Sequence, residues 1–161
     1  MKQTIGRCGL LAVITSSVVL VANAGPAIAI TSNPVAKTFS FVGKPNSKTT
    51  TIVNVDSLLM NARCDPRGNP VIFAFSSAQS ADLFGRIFDG LGRLHIVKNS
   101  SFVKGTKGVA LSTSSGDFDA TGTALYETSD GTVVTVNYAF DNSTTLGKQN
   151  VCTVYGSYVA S

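Results

Sequence analysis

His95 is the chain's one histidine, and it lies in the apolar run Leu94-His95-Ile96-Val97. A base needs a partner carboxylate to orient it and a hydroxyl or water to act on, and no local motif supplies either. The nucleophile elbow G-x-S-x-G, the phosphate loop G-x-x-x-x-G-K-[ST] and the dinucleotide fingerprint G-x-G-x-x-G do not occur. Zinc sites built on several histidines are excluded by the count, and a lone histidine on a strand is ordinarily a surface or half-buried residue.

Carboxylates are few. Glu127 is the single glutamate, and most aspartates stand in turn contexts: Asp56-Ser57, Asp65-Pro66, Asp89-Gly90, Asp130-Gly131 and Asp141-Asn142. Their expected work is to cap and turn the backbone. The exception is Ser115-Gly116-Asp117-Phe118-Asp119. In an extended segment Asp117 and Asp119 project to one side, and with loop carbonyls they form a candidate calcium (Ca2+) site. Two such carboxyls can also flank a glycosidic bond. The plain alternative is a solvated loop leading into a strand.

The cysteines point to a compartment. Lys2 and Arg7, an apolar run from Leu10 to Ala22 and small residues at Ala22-Asn23-Ala24 and Ala27-Ile28-Ala29 make residues 1–29 a secretory signal, cleaved after Ala24 or Ala29. An uncleaved anchor over Leu10 to Ile30 is the competing reading, but Thr15, Ser16, Ser17, Asn23, Gly25 and Pro26 suit a spanning helix poorly. Cys8 departs with the signal. The remaining pair, Cys64 and Cys152, is expected to form a disulfide in an exported protein, with two free buried thiols as the alternative.

Loss of Lys2 and Arg7 takes the basic count from 13 to 11 against 9 acids, so the formal charge falls from +4 to +2. The basic residues are scattered, which argues against nucleic acid as a partner. Lys98, Lys104 and Lys107 form a small basic loop, read as solvated. Tyr126, Tyr138, Tyr155 and Tyr158 could offer polar-tipped rings to a glycan, while the nine phenylalanines are expected in the core. Asn99-Ser100-Ser101 and Asn142-Ser143-Thr144 match the glycosylation triplet.

The elements that must position these residues are short strands. Asp130-Gly131 suits a two-residue hairpin turn between a run ending near Glu127 and a second arm in which Val134, Val136, Tyr138 and Phe140 share one face. That turn sets Leu125 opposite Val136 and Glu127 opposite Val134, and a slip of one residue would bring Tyr126 to the apolar side instead. In the last strand Cys152, Val154, Gly156 and Tyr158 alternate with Val151, Thr153, Tyr155 and Ser157. Earlier strands are expected over Lys37 to Val42, Lys48 to Val55, Leu58 to Cys64 and Val71 to Phe75, with a loop at Asp65 to Pro70. From Ala81 to Val97 the apolar residues fit helical spacing, but Gly85, Gly90 and Gly92 each disfavour a helix by about 1 kcal/mol, and a hairpin turning at Asp89-Gly90 is the expectation.

Eight or nine strands at this spacing specify one all-β domain over residues 30–161, an antiparallel β-sandwich of Greek-key, Ig-like or jelly-roll type closed by one disulfide. Tryptophan is absent, so the tryptophan-on-disulfide packing of immunoglobulin domains does not apply. The expected function is structural or protein-interacting, at the cell surface or in the medium, with a glycan- or calcium-binding module as the alternative. No stable membrane insertion is expected after cleavage, and catalysis is not expected.

Overall fold

The computed structural model describes residues 34–113, 119–142 and 151–161. These form ten strands: β1 Val35–Gly43, β2 Thr50–Val55, β3 Leu58–Cys64, β4 Pro70–Ser76, β5 Ala81–Asp89, β6 Leu94–Asn99, β7 Val109–Ala110, β8 Asp119–Thr128, β9 Val133–Asp141 and β10 Cys152–Ala160. The count is slightly above the eight or nine expected, and all pairings are antiparallel. One sheet runs β1-β10-β9-β8-β5-β6 and the other β2-β3-β4-β7. The chain leaves the first sheet after β1, builds β2 to β4 as a meander, returns for β5 and β6, touches the second sheet at β7, and closes with the β8-β9-β10 meander against β1.

Period-two patterning explains why the sheets face each other. β3 buries Leu58, Met60, Ala62 and Cys64, while β9 buries Val134, Val136, Tyr138 and Phe140. Phe102 and Leu111, from the connections between β6 and β8, are fully buried and fill the interior beside them. The segment from Ala81 to Asn99 is a hairpin, as its glycines required.

Cys64 on β3 and Cys152 on β10 are disulfide-bonded, with Cα atoms 5.8 Å apart, so the bridge ties one sheet to the other. A second tie is polar. The Leu111 amide donates to the Ile72 carbonyl of the four-stranded sheet at 2.9 Å. The Tyr138 hydroxyl of the six-stranded sheet donates to the Leu111 carbonyl at 2.8 Å.

The β8-β9 register differs from the sequence expectation by one residue. Ala124 lies opposite Val136 and Tyr126 opposite Val134, while Leu125 pairs with Thr135 and Glu127 with Val133. The turn is longer than two residues: Thr128 bonds Thr132 across Ser129-Asp130-Gly131, and Gly131 holds φ at 89°. That is a three-residue loop with glycine in the left-handed position. The Tyr126 ring gains an edge-on contact with Phe102, centroids 6.0 Å apart, and its hydroxyl lies 3.0 Å from that of Ser76. Burial of a tyrosine whose polar tip is satisfied outweighs burial of Leu125.

Candidate functional site

The outer face of the six-stranded sheet carries a trough of about 810 Å³. Its lining comes from alternate residues of four strands, Phe84, Arg86 and Phe88 of β5, Thr121, Thr123 and Leu125 of β8, Thr135, Asn137 and Ala139 of β9, and Tyr155 and Ser157 of β10. Registers place these residues in rows across the strands. Arg86 is level with Thr123, Thr123 with Asn137, and Asn137 with Ser157. On one side run Phe88, Thr121, Ala139 and Tyr155; on the other, Phe84, Leu125, Thr135 and Val159. A polar row therefore lies between two rows that carry the aromatic and aliphatic groups.

Geometry within the trough is fixed by its own contacts. The Arg86 guanidinium carbon sits 5.3 Å from the centroid of the Phe84 ring, a cation–π arrangement that holds the fork over the sheet. Thr123 Oγ1 donates to Asn137 Oδ1 at 2.9 Å, which engages the oxygen of the Asn137 amide. Phe88 is 48% exposed, Tyr155 55% and Leu125 39%. Beneath the floor Tyr138 is level with Gly122 on one neighbour and Gly156 on the other. A Cβ at Gly122 would stand 2.3 Å from the Tyr138 ring, so the ring occupies the space a side chain there would take.

The expectation that phenylalanines belong to the core fails for Phe73 and Phe75 of β4 and for Phe84 and Phe88 of β5, which face outward. The signal was present in the sequence: Leu83, Gly85 and Ile87 alternate with Phe84, Arg86 and Phe88, and an arginine cannot share the buried side. Of the tyrosines, Tyr126, Tyr138 and Tyr158 are buried and only Tyr155 is exposed, so there is no outward tyrosine row. Burial raises the Tyr138 hydroxyl pKa above its ordinary value.

His95 meets a carboxylate. Its Nε2 lies 2.9 Å from Oδ2 of Asp89, which also accepts from Arg93 Nε at 2.7 Å. The other oxygen, Oδ1, accepts the amides of Leu91 and Arg93. Asp89 is thus a buried anchor for the β5-β6 turn. The His95 bond, helped by those from Arg93 and opposed by burial, holds its carboxyl well below the usual range. Asp65 folds its own loop in the same way, accepting the amides of Arg67 and Asn69.

Of the candidate calcium ligands, Asp117 lies outside the described residues. Asp119 stands directly opposite Asp141 across the β8-β9 pair, and this neighbour, with burial, raises its pKa. Among the described residues no three of His, Cys, Asp or Glu converge on a point that could hold a metal ion. Among them, too, no helix is long and apolar enough to cross a membrane.

No family model matches the chain, and no curated protein or solved structure shows significant similarity to it.

Proposed function

We infer that this is an exported interaction module that works by binding through the outer face of its six-stranded sheet. The observation that carries this reading is the set of uncovered apolar side chains in one trough, Phe88, Leu125 and Tyr155, flanking a polar row. Exposed patches of this kind on a soluble domain are ordinarily recognition surfaces. Export is supported by the leader pattern of residues 1–29 and by the Cys64–Cys152 bridge, which is the bond an oxidising compartment sustains. No catalytic role is proposed, because His95 and Asp89 are spent on holding a turn.

Adsorption of the purified mature protein to surface material from cells of its source tests this reading. The wild type should bind saturably, and Phe88→Ser combined with Tyr155→Ser should abolish binding while melting as the wild type does. Equal adsorption by both proteins, or by neither, would overturn it.

A further inference from the structure

We propose that the trough binds a segment of acidic oligosaccharide, with a sugar carboxylate on Arg86. The proposal rests on the interaction-module reading and names its ligand class.

Among the described residues Arg86 is the one charged side chain lining the trough. Among the described residues no carboxylate pairs with it, and its partner is the Phe84 ring. An arginine fixed by stacking and left without a counter-ion offers a planar fork that fits a carboxylate through two parallel bonds. The occupant is therefore anionic, and a single cation selects a ligand with isolated charges over a polyanion such as nucleic acid.

The polar row separates a sugar from a fatty acid. An acyl chain laid over Thr123, Asn137 and Ser157 would cover hydroxyls and an amide without answering them, which is costly. A glycan answers them with hydroxyls of its own. Asn137, with its oxygen engaged by Thr123, presents amide donors, and Thr123 presents lone pairs. From Arg86 to Ser157 the row crosses three strand intervals, about 14 Å at the usual strand spacing. Phe88 and Tyr155 flank this row with exposed rings, on which the apolar faces of sugar rings can stack.

Isothermal titration of the mature protein with a xylo-oligosaccharide bearing a single glucuronate, and with the same oligomer after reduction of its carboxyl, tests the proposal. The acidic oligomer should bind and the reduced one should bind at least about tenfold more weakly. Arg86→Gln should remove this preference, and Tyr155→Ala should weaken both ligands. Binding of neither oligomer, equal binding of both, or an Arg86→Gln protein that keeps the preference would overturn it. If neither oligomer binds while the Phe88→Ser/Tyr155→Ser protein loses adsorption to cell material, the ligand class is wrong and the interaction reading stands.

Discussion

The hydroxyl of Tyr138 donates to the carbonyl of Leu111 at 2.8 Å, joining the middle of the six-stranded sheet to the segment that completes the four-stranded one. The bond is reachable because Gly122 leaves room for the ring. Tyr138→Phe should leave the buried carbonyl unanswered and cost about 1–3 kcal/mol. Gly122→Ala should cost a similar amount, about 1–3 kcal/mol, by forcing the ring aside. Urea unfolding of both variants checks these values. Wild-type midpoints would show that the ring is not held between the sheets.

The Cys64–Cys152 bridge closes a separation of 88 residues. Under the chain-entropy treatment such a closure contributes on the order of 4 kcal/mol through the unfolded state. Denaturant midpoints with and without reductant, and for the Cys64→Ser/Cys152→Ser protein, should show a loss of that size. An unchanged midpoint would contradict the bridge's role as a tie between sheets.

Asp89 gives the acid response its sign. Its pKa in the folded chain lies below the usual 3.8, so the stability it adds is fully present above that value and is lost as the pH falls below it. Thermal melting from neutral pH downward should show a decline that is shallower in Asp89→Asn, whose melting temperature is already reduced at neutral pH. Parallel curves would refute the assignment.

Asp119 acts in the opposite sense. Its pKa is raised first by the hydrogen bond it shares with Asp141, with burial and like charge adding to it, so repulsion between the two is absent at low pH and appears as the pH rises through that raised value. Asp119→Asn should stabilise the protein at neutral pH by roughly 0.2–1 kcal/mol, the scale of a like-charge pair directly opposite in a sheet. The gain should vanish below the carboxylate range, and melting at both pH values reads it.

Much of the fold was legible because alternation is local. Val134, Val136, Tyr138 and Phe140 fall on the buried face by period two alone, and once residues 1–29 are read as a cleaved leader the two cysteines that remain leave one pairing. The β8 register was not legible, since it depends on whether the turn holds two residues or three and on Ser76 and Phe102 waiting for Tyr126. The trough was less legible still. Arg86, Thr123, Asn137 and Ser157 come from four strands, and only the registers bring them level. Asp89-Gly90 was read as the turn itself, whereas Asp89 closes β5 and its side chain caps the loop Gly90-Leu91-Gly92, and its reach to His95 depends on how that loop folds back.

Covalent footprinting of exposed side chains, with the protein free and then bound to surface material from its source, tests most directly whether the outer face of the six-stranded sheet is the binding face. Labelling of Phe88, Leu125 and Tyr155 should fall on binding, while Phe73, on the outer face of the other sheet, should label as before. Protection of Phe73 with Phe88 and Tyr155 left open would place the recognition surface on the wrong side of the molecule.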